Sequence, residues 1–358
     1  MRIIKQGIVS GKTDSFFSYC AWPSACVDEN GVIYVVCSGN RMGHLCPFGK
    51  ILMFRSFDGG LTFTPPSITA DRFLDNRDPG ILYLGGGRML VTDCSHPAVN
   101  YETEYNDWIY SDSGTAGTGL VKHYSGLGEA DRAGGCFYRI LENYGNTVGE
   151  DRRIPVHCPH GPIMLSDGTV FYLGKEAFSP CPERKDRFSV YISENSGETF
   201  EKAAECPVPD GYNTDTFHEA HCAELADGRI MALFRSHLTE DDSYFTVMKT
   251  FTSDRGKTWS EWEKTGICGS PPHICKTASG SFALTYGRRI EPYGIYARIV
   301  DGEGNIGDEE IKLASCRDSD IGYPCTVLLP DKTLFTVYYA RYKSDTYASL
   351  LYTIWSEE

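Results

Sequence analysis

Short runs of alternating apolar and polar residues recur along the chain, and a polar two-residue turn separates the runs of each pair. Between Glu219 and Arg235, one run leads into the turn Asp227-Gly228 and a second run alternates after it. Two alternating runs around such a turn predict a β-hairpin. The returning run occurs six times, as NGVIYVVCSG from Asn30, GGRMLVTDCS from Gly86, DGTVFYLGKE from Asp167, DGRIMALFRS from Asp227, SGSFALTYGR from Ser279 and DKTLFTVYYA from Asp331.

The spacing of these hairpins indicates a repeat protein. Successive copies lie about 50 to 80 residues apart, and 358 residues over six copies give about 60 residues per unit. Four-stranded antiparallel blades around a central channel fit that period. We therefore predict an all-β fold, a six-bladed β-propeller that forms a single domain over residues 1–358.

The two ends of the chain are predicted to complete one blade. After Tyr323 only three strand-like runs remain, at 325–329, 333–339 and 347–355, whereas a blade has four strands. The alternating run 2–10 has no partner nearby in sequence, so we predict that it supplies the fourth strand and closes the ring. The longest gap between repeats, about 100–152, is rich in Gly, Asp and Tyr and is expected to form decorated loops.

Composition and charge exclude several classes of partner. Hydrophobic residues make up 41% of the chain and charged residues 23%, as expected of a globular protein. The net charge of -14 argues against nucleic acid or an anionic membrane as a partner. No stretch approaches the ~20 apolar residues of a membrane span, and no signal-like run begins the chain. Fourteen cysteines without C-x-x-C pairs are interpreted as reduced, buried residues of a cytoplasmic protein, although a secreted protein without its signal would have the same sequence.

A second motif predicts turns inside the repeats. SFDGGLTF from Ser56, SENSGETF from Ser193 and SDRGKTW from Ser253 are related by the pattern Ser-x-Asp/Asn-x-Gly-x-Thr-Phe/Trp. In such a turn the Ser and Asx side chains bond backbone amides, and Gly takes a positive φ. We interpret these turns as structural.

These turns and two further segments resemble the sialidase (neuraminidase) superfamily of Asp-box, or BNR-repeat, propellers. EAHCAELADGR from Glu219, followed by Arg235, resembles the segment with the glutamate that assists the nucleophile and with an arginine of the substrate-carboxylate clamp. GYPCTVLLPD from Gly322 resembles the segment with the nucleophilic tyrosine, here Tyr323. The resemblance implies a glycoside hydrolase that acts on a terminal, acidic sugar.

The chain departs from that family at three places. CAWP from Cys20 stands where the family has Phe/Tyr-Arg-Ile-Pro, so Ala21 replaces the first clamp arginine. The family's acid aspartate has no counterpart between 38 and 55, where the chain offers Arg41 and His44. Near the place of the third clamp arginine the chain has Arg288, Arg289 and Arg298, and Arg288 is our candidate.

The first strand of every blade is predicted to begin at the same end of the channel, which brings six side chains together. They are Trp22, Asp78, His160, Glu219, His273 and Tyr323. Ionisable groups that converge in a concavity predict an active site. We expect Tyr323 to be the nucleophile, Glu219 its base and Asp78 the acid. His160 and His273 are expected to act as acid–base groups or to bind sugar hydroxyls.

The expected partner is a carbohydrate, either an oligosaccharide or a glycoconjugate, and a tyrosine nucleophile suits an anionic sugar because a carboxylate would be repelled. The residues expected to contact this substrate are Arg235, Arg288, Arg77, His218 and Trp22. No cofactor is expected, and no metal, because HEAH from His218 lacks the spacing of H-E-x-x-H. Two alternatives remain open: a uronate-type polysaccharide lyase in which His and Tyr transfer protons, and a non-catalytic glycan-binding propeller.

Overall fold

A computed structural model describes residues 1–10, 15–178, 187–237 and 245–357, and it contains the six antiparallel sheets of a propeller. Blade 1 consists of β2 (Tyr19–Val27), β3 (Ile33–Arg41), β4 (Lys50–Ser56) and β5 (Ser67–Ala70). Blade 2 consists of β6 (Arg77–Gly85), β7 (Arg88–Ser95), β8 (Gly135–Glu142), β9 (Thr147–Val148) and β10 (Arg152–Arg153). Blade 3 consists of β11 (Ile163–Met164), β12 (Val170–Lys175), β13 (Phe188–Ser193) and β14 (Glu201–Cys206).

The remaining blades follow the same plan. Blade 4 consists of β15 (Phe217–Glu224), β16 (Ile230–Ser236), β17 (Thr246–Thr252) and β18 (Glu263–Cys268). Blade 5 consists of β19 (Ser270–Lys276), β20 (Phe282–Arg288), β21 (Gly294–Val300) and β22 (Ile311–Ser315). Blade 6 consists of β23 (Gly322–Leu328), β24 (Leu334–Arg341), β25 (Ala348–Ser356) and β1 (Arg2–Ile8). The six returning runs of the sequence form the second strand of each blade, so the six-bladed fold is confirmed.

The N-terminal strand closes the ring, as predicted. Strand β1 lies antiparallel to β25, with Arg2 opposite Ser356 and Ile8 opposite Leu351. The last sheet therefore has the order β1-β25-β24-β23, and both ends of the chain belong to it. Gly7 packs so closely on the Tyr352 ring that a Cβ there would lie 2.5 Å from its hydroxyl.

The segment between β7 and β8 is helical, which differs from the loops expected over residues 100–152. Its elements are α1 (Ala98–Glu102), α2 (Asn106–Val121), the 3-10 helix Lys122–Gly126 and α3 (Glu129–Arg132). The rest of the stretch supplies β8, β9 and β10. Gly114, with φ 60° and ψ -150°, divides α2. Because glycine is a poor helix former, this Gly-rich sequence did not indicate helices. The hydroxyl of buried Tyr101 donates to Asp75 at 3.0 Å and fastens the insertion to the ring.

Apolar side chains fill the spaces between neighbouring blades. One cluster joins blades 1 and 6 and includes Val35 and Val337. Another joins blades 4 and 5 and includes Leu233 and Leu284. Burying a side chain of this kind stabilises the fold by roughly 1.5–3 kcal/mol. All the described cysteines are free thiols, and most are buried as small apolar residues.

The polar turns between the third and fourth strands have the geometry expected from their motif. In blade 1 the hydroxyl of Ser56 accepts the backbone N–H of Gly60 at 2.8 Å. In blade 4 the hydroxyl of Thr252 accepts the N–H of Gly256 at 2.9 Å. That motif therefore begins at Thr252 and not at Ser253, because a threonine hydroxyl takes the serine position.

Candidate active site

In five blades a residue in the left-handed backbone region lies just before the innermost strand or within its first four residues. The φ angles are 52° at Trp22, 50° at Asp78, 74° at His160, 36° at Glu219 and 49° at Tyr323. Such angles are unfavourable for residues other than glycine. Residues that adopt them cluster at functional sites. A register shift of the bulge type accompanies them in blades 1, 2, 4 and 6, where it bends the strand and redirects the side chain.

Tyr323, Glu219 and Arg235 form one hydrogen-bonded group. The phenol of Tyr323 donates to Oε1 of Glu219, and Nη1 of Arg235 donates to Oε2 at 2.6 Å. Glu219 lies in β15 and Arg235 in β16, whereas Tyr323 lies in β23 of a blade that is not their neighbour. The contact therefore depends on closure of the whole ring.

Burial and charge fix the protonation states of this group. Burial by itself raises the pKa of Glu219, but the charge of Arg235 and the hydrogen bond from Tyr323 lower it to about 2. Burial and the charge of Glu219 raise the pKa of the Tyr323 phenol well above its ordinary value, although Arg235 opposes this. At neutral pH the group consists of a carboxylate and a protonated phenol.

Arg289, and not Arg288, faces Tyr323. The guanidinium carbon of Arg289 lies 5.7 Å from the centre of the Tyr323 ring, and its Nη2 donates to the hydroxyl of Tyr339 at 3.2 Å. Arg288 forms an ion pair with Glu310 at 2.6 Å. Arg289 is therefore better placed than Arg288, the residue expected from the sequence, to contact a ligand beside Tyr323, because consecutive residues at a strand end point in opposite directions.

Trp22 packs against two arginines. The guanidinium carbons of Arg77 and Arg41 lie 4.3 Å and 4.8 Å from its ring centre. Both arginines also bond Asp75, Arg41 at 2.9 Å and Arg77 at 3.4 Å. Because Trp22 is only 2% exposed, it supports the arginines and offers no free ring face to a sugar. A direct contact of Trp22 with substrate, as expected from the sequence, would require this ring to be uncovered.

A cavity of about 280 Å³ lies beside Tyr323, at the small end of the range for ligand pockets. Its lining residues come from blades 2, 3, 4 and 6, from the segment that precedes β11, and from the segments that follow β7 and β12. They are Arg77, Asp78, Cys94, His96, His157, Pro159, Lys175, Ala177, Phe178, His218, Glu219 and Tyr323. Five of the predicted site residues thus meet in one cavity: Arg77, Asp78, His218, Glu219 and Tyr323.

Asp78 has one oxygen free to act. Its Oδ2 lies 3.7 Å from Nε of Arg77, whereas its Oδ1 is buried without a hydrogen-bond partner among the described residues. Burial raises the pKa of Asp78, Arg77 lowers it, and the nearby charge of Glu219 raises it further, with a net upward shift. A carboxyl group with a raised pKa keeps a protonated fraction, which a general acid requires.

Three histidines are neutral at pH 7: His157 and His218, which line the cavity, and His160, which lies beside Tyr323. Burial lowers the pKa of His157, His160 and His218 to about 4. Neither ring nitrogen of His157 or His160 has a hydrogen-bond partner in the described part of the chain. The His160 ring centre lies 6.2 Å from that of Tyr323. A neutral imidazole both donates and accepts, so these rings can bind sugar hydroxyls.

His273 lies deeper in the channel than the sequence analysis expected. The bulge of blade 5 makes Pro271 the equivalent of Tyr323. A proline follows Pro271, as it follows Trp22, Asp78 and Tyr323, and this repeated dipeptide was the signal available in the sequence. In blade 5 the sequence analysis therefore chose a residue two positions after the one that is equivalent to Tyr323.

His273 connects the innermost strands of two blades. Its Nδ1 accepts the backbone N–H of Thr326 at 3.3 Å, just as Nδ1 of His221 accepts the N–H of Ile274 at 3.1 Å. The proton of neutral His273 is therefore on Nε2, which lies 3.3 Å from Sγ of Cys325. These contacts occupy both ring nitrogens of His273, and its expected role in acid–base chemistry stays a prediction.

Four ionisable residues that line the cavity were not among those expected from the sequence: Cys94, His96, His157 and Lys175. Cys94 and Lys175 occupy the ninth position of their returning runs, the same position that Arg235 occupies. Because every second strand ends where every first strand begins, the ninth residue of each run is a signal for the site.

Comparison with solved structures shows that the chain shares its six-bladed propeller fold with solved sialidases. A protein of unknown function from Dyadobacter fermentans superposes with a TM-score of 0.76 at 19% identity, over 99% of this chain and 98% of that one. The NanB sialidase of Streptococcus pneumoniae superposes with a TM-score of 0.69 at 14% identity, over 98% of this chain and 70% of that one. The intramolecular trans-sialidase of Ruminococcus gnavus superposes with a TM-score of 0.67 at 14% identity, over 98% of this chain and 97% of that one.

The TM-scores establish a shared fold, and at these identities the comparison shows the fold alone. No protein-family model matches the sequence, and no curated protein matches it. Among the described residues, no helix has the length and apolar character needed to cross a membrane.

Proposed function

We propose that the protein is a glycoside hydrolase that cleaves a terminal acidic sugar, with Tyr323 as the nucleophile and Glu219 as its base. The observation that carries the proposal is the hydrogen bond from the Tyr323 phenol to Glu219 beside the cavity. The bond places Glu219 within reach of the phenolic proton, which is the geometry that a base needs to activate a nucleophile, and the adjoining cavity gives a substrate access to the pair. The solved sialidases of the same fold support the choice of reaction.

The proposed reaction has two steps. Tyr323 Oη attacks the anomeric carbon as its proton moves to Glu219, and Asp78 protonates the departing oxygen. Water then attacks the glycosyl–tyrosine bond with Asp78 as base, and Tyr323 recovers its proton from Glu219. Because a carboxylate with a pKa of about 2 is a weak base, the proton must move together with the attack and not before it.

Three arginines support an acidic substrate. Nε of Arg77, Arg235 and Arg289 is buried and has no hydrogen bond within the described chain. Arg235 and Arg289 both lie beside Tyr323, whereas Arg77 lies beside Asp78 on the cavity wall. A buried guanidinium with an unused donor favours an anionic group on the ligand.

The test is release of the aryl group from a panel of aryl glycosides that includes the sialoside. Tyr323→Phe should abolish turnover of the sugar that the wild type cleaves. Tyr286→Phe is the matched control, because Tyr286 donates to Glu310 at 2.6 Å beside Arg288, in a similar Tyr–Glu–Arg group that does not line the cavity. Unchanged turnover in Tyr323→Phe would remove Tyr323 as the nucleophile.

A polysaccharide lyase is the second candidate, and the neutral histidines favour it. A lyase needs proton-transfer groups without a covalent intermediate, and His160 lies close to Tyr323. Incubation with uronate polymers distinguishes the two reactions, because only a lyase produces an unsaturated sugar that absorbs in the ultraviolet. If a glycan binds saturably but neither a hydrolysed nor an unsaturated sugar forms, the protein is a non-catalytic glycan-binding propeller.

A further inference from the structure

Asp78, Cys94 and His96 meet on one wall of the cavity. Asp78 lies at the start of β6, Cys94 at the end of β7, and His96 two residues later. The atoms that these side chains offer to a metal all lie within 4.8 Å of one another. A carboxylate, a thiol and an imidazole thus face the same space.

Each of these side chains has a potential ligand atom that makes no hydrogen bond to a described residue. Oδ1 of Asp78 has no hydrogen-bond partner among the described residues. Nδ1 of His96 lies 2.9 Å from the hydroxyl of Tyr105, and its Nε2 bonds no described residue. Metal-binding histidines usually have one nitrogen bonded to an oxygen in this way, which orients the ring. Cys94 is 1% exposed, so its sulfur meets only the cavity and the core.

We propose that Asp78, Cys94 and His96 bind a zinc ion. Zinc accepts oxygen, nitrogen and thiolate sulfur together, whereas magnesium and calcium take oxygen ligands. Three protein ligands leave a fourth position that faces the cavity. If the three ligand atoms were all 4.8 Å apart, an ion at their centre would lie about 2.8 Å from each of them. Each ligand atom must therefore approach the ion by about 0.5 to 0.8 Å to reach the usual zinc distances.

A second cluster in the channel does not qualify. His160, His273 and Cys325 also lie within 4.8 Å of one another. However, Nδ1 of His273 accepts the backbone N–H of Thr326, which keeps the proton on Nε2 and prevents Nε2 from binding a metal. No comparable backbone contact is made by the first cluster within the described chain.

Zinc at this site would take Asp78 out of acid catalysis. Metal coordination needs the carboxylate form of Asp78, whereas the proposed hydrolysis needs its acid form. Zinc should therefore inhibit the hydrolase, and this consequence rests on the proposed function. Zinc binding itself does not rest on it.

The test is calorimetric titration of the chelator-treated, reduced protein with zinc chloride. Reduction is needed because Cys136 lies opposite Cys94 in β8. We expect one equivalent to bind, and Cys94→Ser and Asp78→Asn each to weaken the affinity at least about tenfold. Cys268→Ser is the control, because Cys268 is a partly exposed cysteine at the end of β18 and should leave the affinity unchanged.

Cobalt(II) gives an independent readout. Cobalt bound through Cys94 should show a thiolate charge-transfer band in the near ultraviolet that disappears in Cys94→Ser. Absence of saturable zinc binding, or equal affinity in wild type and Asp78→Asn, would overturn the proposal even if the cysteine variant failed to fold. Zinc binding that depends on Cys94 but does not inhibit turnover would keep the metal site and reject Asp78 as the acid.

Discussion

The hydroxyl of Tyr323 donates a hydrogen bond to Glu219, which lies 104 residues earlier in the chain. Glu219 at the same time holds Arg235 at 2.6 Å through its other oxygen. An anionic substrate that draws Arg235 away would raise the pKa of Glu219, since Arg235 is the main group that lowers it. Substrate binding would thus make Glu219 a better base at the moment when Tyr323 must lose its proton.

Replacing Glu219 by Gln should lower kcat by about 100- to 10,000-fold, because the amide cannot accept the phenolic proton. The size of the side chain is kept, so the fold should survive. The measurement is turnover of the aryl glycoside that the wild type cleaves, with circular dichroism as the check on folding. Glu310→Gln is the control for loss of a glutamate bound to Tyr and Arg, and it should retain wild-type kcat. Equal kcat in Glu219→Gln and wild type would reject Glu219 as the base.

Replacing Arg289 by Gln should raise KM for an acidic aryl glycoside at least about tenfold, because a charge-assisted hydrogen bond contributes about 1.5–3 kcal/mol. Arg288→Gln should leave KM unchanged, since Arg288 is bound to Glu310 outside the cavity. Steady-state kinetics on both variants measure the difference. The opposite ranking would restore Arg288 as the clamp residue.

Deleting residues 1–10 should sharply lower the melting temperature. The deletion removes β1 and leaves β25 with an unpaired edge. Differential scanning calorimetry of the truncated and full-length proteins measures the effect. A second variant, Gly7→Val, keeps the strand but places a side chain against the Tyr352 ring, and it should also lower the melting temperature. An unchanged melting temperature after truncation would mean that β1 adds nothing to ring stability.

The repeated hairpins were predictable because each one is a local pattern. A run such as DGRIMALFRS from Asp227 contains its own turn and its own alternation, so it predicts a strand without knowledge of its neighbours. Closure by residues 2–8 was predictable by counting strands. The helices over 98–132 were not, because Gly114 and its neighbours have weak helix propensity and the insertion is held by tertiary contacts such as Tyr101 to Asp75.

Positions at the site could be predicted where a residue lies in a recognisable sequence motif. The positions of Tyr323 and Glu219 beside the cavity could be anticipated because both residues belong to segments that resemble a known motif. Arg289 was not separable from Arg288, since one residue of register decides which of the two faces the channel. The position of His273 was not predictable for the same reason. The bulge in β19 shifts the register of the strand by residues that the hydrophobic pattern does not reveal.

The buried histidines should make the fold sensitive to acid. The unfolded chain takes up a proton at an ordinary histidine pKa of about 6.5, whereas His160 in the fold has a pKa of about 4. Between these values the unfolded state binds more protons, so stability falls as the pH decreases from about 6.5 to 4. His160 alone accounts for about 2 to 3 kcal/mol of that loss between pH 7 and pH 4.5.

Replacing His160 by Gln should therefore reduce the acid-induced loss by about 2 to 3 kcal/mol, because glutamine takes up no proton. Urea unfolding at pH 7 and pH 4.5 measures the loss for each protein, and subtracting the two values cancels any change in packing that is independent of pH. His123→Gln, at an exposed histidine of the helical insertion, should keep the wild-type loss. An unchanged loss in His160→Gln would mean that this histidine is protonated in the fold and hence that the channel around it is open to water.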